Sequence, residues 1–232
     1  MGRAVEQMAE SRGHSVEVTI DSVDDWMEKI GELRTCDMAI EFSTPGTVVD
    51  NIMKCFNLGL PVVVGTTGWY DQLEGVAHDC TERGKSLFVA SNFSIGMNIM
   101  FELNRRLADL MDGREEYDVQ ISETHHIHKL DAPSGTAITL ANDILERVER
   151  KEEWQLAKAG IDEKDTTMLT ITSHREGEVP GIHEVVYDSE VDTLTLRHEA
   201  KSRKGLALGA VLAAEFLEGK KGYYTMHDLL AE

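Results

Sequence analysis

The first ninety residues alternate short β-rich runs with segments of helical periodicity. Residues 61–64, Pro-Val-Val-Val, form a continuous apolar run, which is typical of a strand covered on both faces in a parallel sheet. Residues 47–58 and 70–83 are each long enough for a crossover helix. This βαβ pattern predicts an α/β domain with a doubly wound parallel sheet. The predicted strands are residues 15–21, 38–42, 60–64 and 86–90.

The pattern changes after Asn92, where consecutive strands with short turns indicate an antiparallel or mixed sheet and hence an α+β half. A final helix is apolar nearly all round, so we expect it to be buried and to return to the first domain. The predicted domains are therefore residues 1–94 with 205–232, and residues 95–204. The predicted elements of this half are a helix at 95–111, a strand at 117–123, a helix at 135–150, strands at 168–173, 182–188 and 193–198, and the final helix at 205–218.

Charge and cysteine content narrow the class of ligand. The 232 residues carry a formal net charge of −19 at pH 7, which argues against a partner held by bulk positive charge, such as nucleic acid or an anionic membrane. Three cysteines without metal-site spacing favour a reducing cytoplasm, and the apolar runs are too short to cross a bilayer. We therefore expect a cytoplasmic protein that captures a small ligand with a local cluster of donors.

The start of the chain matches only the latter half of a dinucleotide-binding fingerprint. In such folds the last glycine of a Gly-rich turn opens the first helix, and an acidic residue about 20 positions later binds the adenosine ribose. Gly2 and Asp21 have this relation, although Asp21 is equally suited to cap the segment that begins at Ser22. The first strand and most of the Gly-rich loop are missing from the pattern. We expect Met1 to be an internal residue of that loop, and a chain beginning there to fold poorly or bind cofactor weakly.

The densest polar cluster runs from the end of a predicted strand, at Glu123, into the start of a predicted helix, at Thr136. Because the helix begins there, the free N–H groups of Gly135 and Thr136 predict a site for a carboxylate or phosphate. The alternative is that Ser134 and its neighbours only cap the helix.

Just upstream, two adjacent histidines and a lysine are suited to donate protons near neutral pH. His125 and His126 are neighbours on a predicted strand and therefore point to opposite faces, which suggests one acid and one binder. A metal site formed by Glu123, His126 and His128 is the competing interpretation. We expect no metal, because no further cluster completes a recognisable ligand set.

Two loops follow predicted parallel strands, where ligands bind in open α/β sheets. The first contains Gly65, Thr66 and Thr67, and the second contains Ser91 and Asn92. Each is equally consistent with an ordinary turn. The absence of an arginine beside Asp21 favours NADH over NADPH.

Taken together, these segments resemble the dihydrodipicolinate reductase family over essentially the whole chain, and the block at 123–137 is the most diagnostic. The family fold implies a Rossmann-like doubly wound sheet plus an α+β mixed-sheet domain for substrate binding and oligomerisation, assembled as a homotetramer. The resembling segments are residues 1–3, 42–45, 65–68, 91–94, 123–137 and 198–200, with Arg203, Gly209 and Ala210.

The resemblance implies reduction of 4-hydroxy-tetrahydrodipicolinate by NADH or NADPH in lysine and diaminopimelate biosynthesis. The implied roles are His125 and Lys129 as proton donors; His126, Gly135 and Thr136 as binders of the cyclic dicarboxylate; and Met1, Gly2, Asp21, Gly65, Thr66, Thr67, Ala90, Ser91, Asn92 and Phe93 at the cofactor. Two alternatives stay open: a non-catalytic dinucleotide-binding sensor or subunit, and another two-domain oxidoreductase acting on a sugar or amino acid.

Overall fold

The computed structural model describes residues 1–157 and 166–231, which form two compact units. Unit 1 contains residues 1–95 and 204–231, and unit 2 contains the described residues between them. The helices are α1 (Gly2–Ser11), α2 (Val23–Glu28), α3 (Ile30–Leu33), α4 (Val48–Leu58), α5 (Leu73–Glu82), α6 (Ile95–Met111), α7 (Gly135–Leu145), α8 (Lys204–Leu217) and α9 (Met226–Leu230). The strands are β1 (Ala39–Glu41), β2 (Val62–Val64), β3 (Ser86–Val89), β4 (Asp118–His125), β5 (Glu153–Leu156), β6 (Met168–Arg175), β7 (Ile182–Asp188), β8 (Thr193–Glu199) and β9 (Gly222–Tyr224).

Unit 1 is built on a parallel sheet in the order β1-β2-β3-β9. Its central strand β2 is fully buried because both faces are covered. Val63 packs in a cluster with residues of α1 and α8, whereas Val62 and Val64 pack in a second cluster with residues of α4 and α5. The continuous apolar run of β2 is thus explained, and the predicted parallel α/β architecture is confirmed.

The predicted strand at residues 15–21 is wrong. The segment pairs with none of the strands in the described residues. Its apolar residues alternate, but Val16 is exposed and only Val18 and Ile20 are half-buried. Alternation alone does not make a strand, because a strand also needs a neighbouring ladder to satisfy its backbone groups.

Unit 2 is built on a mixed sheet in the order β5-β6-β4-β7-β8. The central strand β4 runs parallel to β6 and antiparallel to β7, as the consecutive strand pattern predicted. Residues of α6 and α7 cover the face that contains Val119 and Ile121. Because side chains alternate along a strand, Glu123 and His125 continue the same buried face at the carboxyl end of β4. The core pattern therefore places two ionisable side chains at the edge of the apolar cluster.

Helix α7 ends at Leu145, earlier than the predicted residue 150, and turns follow it. The apolar periodicity extends further than the helix because Val148 is buried from the turn and packs into the same core. No helix among the described residues is long and apolar enough to span a membrane.

Candidate active site

Four polar side chains form a row across the sheet of unit 2. Strand pairing sets Glu123 of β4 opposite Ser173 of β6 on one side and opposite His183 of β7 on the other. His198 of β8 lies opposite His183 and completes the row. Glu123 and His183 are buried, and the two outer members are half-buried. The row depends on strand register, because its members come from four separate strands.

Glu123 is a carboxylate with no solvent exposure. Its Oε1 atom accepts a hydrogen bond from the Ser173 hydroxyl at 2.8 Å and another from the Ser134 backbone N–H at 3.1 Å. The Arg175 guanidinium lies 3.6 Å from the same oxygen. Burial raises the pKa of Glu123, but the hydrogen bonds from Ser134 and Ser173 outweigh it, so the pKa lies below its ordinary value. The carboxylate is therefore held in its charged form.

The second carboxylate oxygen of Glu123 faces two imidazole rings. Oε2 lies 3.4 Å from Nδ1 of His125 and 3.8 Å from Nε2 of His183. The ring centroids are 5.0 Å apart and the planes are tilted by 72°. The Ser134 hydroxyl also lies 3.3 Å from Nε2 of His183. One buried carboxylate thus contacts two titratable rings, an arrangement that can share and transfer protons.

Both imidazoles are shifted toward the neutral form. Burial lowers the pKa of His125; Glu123 opposes this, while Lys129 and Arg175 lower the pKa further. Burial and the nearby His125 lower the pKa of His183 to about 4. Since a charged ring loses hydration in such a site, burial favours the neutral form of each ring more than the nearby Glu123 carboxylate favours the charged form.

The loop after β4 carries the predicted lysine. Nζ of Lys129 binds the two carboxylate oxygens of Asp131 at 2.8 and 2.9 Å. Arg175 holds the loop by donating to the backbone oxygen of Lys129 at 3.3 Å and to that of Asp131 at 2.6 Å. Because Arg175 lies opposite His125 in the ladder between β4 and β6, the loop is anchored beside that histidine. The Lys129 ammonium group therefore lies close enough to the predicted acid, His125, to lower its pKa.

His126 lies just beyond the last residue of β4 and is half-buried. Its ring centroid is 6.1 Å from that of His128, whose Nε2 lies 3.4 Å from the exposed carboxylate of Glu178. The two adjacent histidines therefore lie in different surroundings: the His125 ring faces the buried carboxylate, and His126 begins the loop after β4.

The alternative metal set of Glu123, His126 and His128 is not assembled in the described residues. The trio whose donor atoms converge there, within 4.8 Å of one another, is Glu123, His125 and His183. The guanidinium of Arg175 lies beside the Glu123 carboxylate. A metal ion bound to this trio would be repelled by that positive charge at low dielectric. The trio is therefore better arranged for proton exchange than for holding a cation.

Helix α7 begins at Gly135, directly after the Ser134 N-cap. The Ser134 hydroxyl accepts a hydrogen bond from the N–H of Ala137 at 3.2 Å, and the first intrahelical bond runs from Ile138 to the Ser134 oxygen. The N–H groups of Gly135 and Thr136 precede that bond, so they point out of the helix start as donors. Ser134 contacts both Glu123 and His183, which places this helix start next to the row. The two N–H groups predicted to bind an anion therefore lie at a helix start whose cap contacts both Glu123 and His183.

In unit 1, the predicted cofactor loops follow β2 and β3 and share the carboxyl edge of the parallel sheet. Glu41, the last residue of β1, is buried and joins the loop after β1 to the loop after β2. Its carboxylate accepts hydrogen bonds from the hydroxyls of Ser43 and Thr66, the latter at 2.7 Å, and from the Asn51 amide at 3.3 Å. The Thr66 hydroxyl accepts in turn from the backbone N–H of Ser43 at 2.7 Å. The side chain of Thr66 therefore faces inward, whereas that of Thr67 is exposed.

Close packing explains two glycines of this region. A Cβ atom on Gly65 would lie 2.1 Å from the Phe42 ring, so packing within unit 1 already requires glycine there. A Cβ atom on Gly209 of α8 would lie 1.7 Å from the backbone oxygen of Phe93. Phe93 and Ala90 are buried, and the Asn92 side chain accepts a hydrogen bond from the N–H of Ser94 at 2.9 Å. Only Ser91 of this loop is exposed, so the loop offers mainly backbone and apolar surface to a ligand.

The remaining predicted cofactor residues lie at helix starts. Met1 precedes α1 and Gly2 is its first residue. Asp21 is exposed and precedes Ser22, which is the N-cap of α2 in a capping box with Asp25. The alternative role of Asp21 as the cap is therefore wrong, because the Ser22 hydroxyl fills it and the N–H of Asp21 donates to Asp25 at 2.9 Å.

Reasoning from the sequence missed His183, Arg175 and Glu41. Glu41 and His183 are polar residues at buried positions of predicted strands, and this is the signal that finds them. Arg175 is half-buried and lies two residues beyond a predicted strand. His183 lies on the same buried face of β7 as Val185 and Tyr187. The alternation therefore predicts a polar ring facing the core among apolar side chains. It does not predict what the ring contacts, because that depends on the register with β4.

Comparison with known proteins covers both units. The N-terminal model of the dihydrodipicolinate reductase family matches residues 1–93, and the C-terminal model matches residues 96–230. A 4-hydroxy-tetrahydrodipicolinate reductase of Christiangramia forsetii is 44% identical over the whole chain and 94% of its own length. The 4-hydroxy-tetrahydrodipicolinate reductase of Methanopyrus kandleri is 38% identical over 85% of this chain and 72% of its own length.

Among solved structures, a dipicolinate-bound dihydrodipicolinate reductase from Paenisporosarcina sp. TG-14 has the same fold. The match has a TM-score of 0.70 at 24% identity and covers 95% of this chain and 83% of that one. The two family models together account for nearly every residue of both units. The chain therefore belongs to the dihydrodipicolinate reductase family.

Proposed function

We propose that this protein reduces 4-hydroxy-tetrahydrodipicolinate to tetrahydrodipicolinate in lysine and diaminopimelate biosynthesis. The observation that carries the proposal is the grouping of His125 and Lys129 with the N–H donors of Gly135 and Thr136 in one unit. The relatives' names supply the reaction, and this grouping supplies acid and anion-binding groups suited to it. A sensor that only binds a dinucleotide has no use for such a cluster, and family membership does not favour that alternative.

The substrate carries two carboxylates, which an acidic protein must bind with local donors. We assign one carboxylate to the N–H groups of Gly135 and Thr136 at the start of α7, where the helix dipole adds to the attraction. His126 is a second binder at the start of the loop. Binding of a dianion beside His125 raises the pKa of that buried ring, so the ring becomes a proton donor when substrate is present.

The nicotinamide supplies a hydride when it is bound, and in the overall reaction one hydride and one proton enter the substrate while one water leaves. Negative charge develops on the ring system as the hydride arrives. His125 donates a proton to that developing charge, and the Lys129 ammonium stabilises it and acts as a second donor. Lys129 is freed for this role when the substrate competes with Asp131 for its ammonium group.

Unit 1 fits a dinucleotide, because its sheet is parallel and its loops share the carboxyl edge. We assign backbone and side-chain contacts with the cofactor to Gly65, Thr67, Ala90, Ser91, Asn92 and Phe93, with Thr66 fixing the loop, and with Met1 and Gly2 at the start of α1. We further propose that NADH is preferred over NADPH, because the exposed Asp21 carboxylate suits a ribose hydroxyl and repels a 2′-phosphate.

We also propose a homotetramer in the cytoplasm. Large apolar side chains of unit 2 are exposed, among them Leu103, Leu110, Leu130 and Val191, and their burial between copies would stabilise an assembly. The three cysteines are free thiols, which suits a reducing compartment. Light scattering coupled to size exclusion tests the assembly directly.

The test of function is the absorbance of NADH and of NADPH during turnover, with and without the cyclic substrate. We expect oxidation that depends on substrate, and a fall in kcat of about 10²- to 10⁴-fold in His125→Gln with cofactor binding retained. His78→Gln, an exposed change on α5, is the matched control and should leave kcat unchanged. Oxidation that is absent in every case, with the dinucleotide still bound, would favour the sensor instead.

A further inference from the structure

The two oxygens of the buried Glu123 carboxylate differ in their hydrogen bonding. Oε1 is saturated, because it accepts from Ser173 and from the backbone of Ser134. Among the described residues, Oε2 accepts no hydrogen bond, and Nδ1 of His125, which lies 3.4 Å away, makes none either. Two buried polar atoms that face one another at this distance would each be costly to leave unpaired. A small rotation of either group makes the hydrogen bond between them.

We propose that Glu123 is a positioning residue for His125: its Oε2 atom holds the proton on Nδ1, so that Nε2 is the atom that exchanges a proton with the substrate. This inference rests on the proposed function for the identity of the substrate. The geometry supports it independently, since a Cβ atom on Gly181 would lie 3.1 Å from Nε2. The backbone of Gly181 therefore packs against the Nε2 edge of the ring, and a side chain at this position would crowd that atom.

His183 is the second partner of the same oxygen. It lies 3.8 Å from Oε2 and packs edge to face against His125. Two protonated rings 5.0 Å apart would repel, so the pair carries at most one positive charge. His183 stays neutral because burial and His125 lower its pKa to about 4. The single positive charge therefore goes to His125, where the substrate is expected.

Among the described residues, the charged and titratable groups near His125 come from its own strand, the two neighbouring strands and the loop that follows β4. Glu123 lies on its own strand, Arg175 on β6, His183 on β7, and Lys129 with Asp131 on the following loop. Glu123 and Asp131 raise the pKa of His125, while Lys129 and Arg175 lower it. Of these groups, Glu123 is the one that contacts Nδ1, so its removal should have the most specific effect.

The experiment uses Glu123→Gln in the full chain, with Glu184→Gln as the matched control. Glu184 is the next residue after His183 on β7 and pairs with Arg197 at 2.8 Å, away from the row. The first readout is the pKa of His125 from its ring proton resonance, assigned by its loss in His125→Gln. We expect this pKa to fall in Glu123→Gln and to be unchanged in Glu184→Gln.

The second readout is the pH profile of kcat. Loss of the Nδ1 partner should lower kcat by on the order of 100-fold, with the KM for cofactor unchanged. The pH dependence of kcat should shift in the same direction as the pKa of His125. If His125→Gln abolishes turnover while Glu123→Gln changes neither the resonance nor kcat, the inference fails and the proposed function stands. If no variant has reductase activity, the pKa of His125 from its resonance still tests the contact between Glu123 and His125, because this measurement does not require turnover.

A second variant protects the test against misfolding. Glu123→Asp keeps the negative charge but withdraws it from Nδ1 by about one carbon–carbon bond. We expect a partial loss of kcat and a smaller fall in the pKa of His125 than for Gln. An Asp variant identical to the original protein in both readouts would overturn the inference, whether or not the Gln variant folds.

Discussion

Glu41 in unit 1 and Glu123 in unit 2 are both buried carboxylates at the carboxyl end of a strand, yet their partners differ. Glu41 is surrounded by two hydroxyls and an amide, from Ser43, Thr66 and Asn51. Glu123 has a hydroxyl and a backbone N–H on one oxygen and two imidazoles near the other. The partners of Glu41 do not titrate near neutral pH, whereas the two imidazoles beside Glu123 do.

This difference separates two uses of a buried charge. A carboxylate that is fully satisfied by non-titrating donors fixes the loops that contact it, because moving any of them breaks a hydrogen bond at a buried site. A carboxylate that faces imidazoles also changes their proton affinity. We therefore expect disruption of Glu41 to affect stability and cofactor binding, and disruption of the Glu123 cluster to affect pH dependence and catalysis.

The largest expected effect outside catalysis is the loss of stability in acid. The folded-state pKa of His183 is about 4 against an ordinary value of 6.5, so the unfolded chain binds a proton more readily. The free energy of unfolding should therefore fall as pH drops from 6.5 to 4, by up to about 3 kcal/mol. The lowered pKa of Glu123 adds a further loss at lower pH, as that carboxylate becomes protonated.

Urea unfolding at pH 7.0, 5.5 and 4.5, followed by circular dichroism, measures this dependence. His183→Gln should make it shallower, because glutamine has no proton to gain. His78→Gln is the control, since that histidine is exposed on α5. Equal slopes for the original protein and for His183→Gln would show that the ring is not held neutral by the fold.

The second effect tests the other carboxylate. Glu41→Ala should lower the free energy of unfolding by about 2 kcal/mol, because the hydroxyl of Thr66 loses its acceptor in a buried site. It should also weaken binding of NADH, measured by fluorescence titration, while kcat at saturating cofactor changes little. Glu82→Ala, an exposed change at the end of α5, is the control. A large fall in kcat at saturation would remove the distinction between the two carboxylates.

The sequence predicts those parts of the fold that depend on local pattern. Helix α6 and strand β7 have the predicted bounds, Ile95–Met111 and Ile182–Asp188, because apolar spacing fixes them. The short strands β5 and β9 were missed, because neither has a continuous apolar run like that of β2. Each is placed by its pairing, β5 with β6 and β9 with β3. Residues 15–21 show the converse, because a strand-like pattern there has no ladder to join.

The same limit applies to the site. The start of α7 and the residues around His125 form one continuous segment, so the sequence contains their relation. The contacts of Glu123 with His183, and of Glu41 with Thr66, join different strands or their loops. Only register brings these residues together, and a single sequence does not give register between strands that are distant along the chain.

The smallest effect compares two serine caps, one in each unit. Ser134 caps α7 and also lies 3.3 Å from Nε2 of His183, whereas Ser22 caps α2 at an exposed position. Ser134→Ala should cost about 1–2 kcal/mol of unfolding free energy, and Ser22→Ala about 0.5 kcal/mol.

If Ser134 also holds His183, the cost of Ser134→Ala should shrink when His183→Gln is already present. A coupling of about 0.5 kcal/mol or more in the double-mutant cycle is expected, since the two side chains are in contact. Ser22→Ala combined with His183→Gln should be additive, because these residues lie in different units. Additivity in both cycles would mean that Ser134 acts only as a helix cap, and that the proton chemistry of unit 2 depends on Glu123 and the two imidazoles without it.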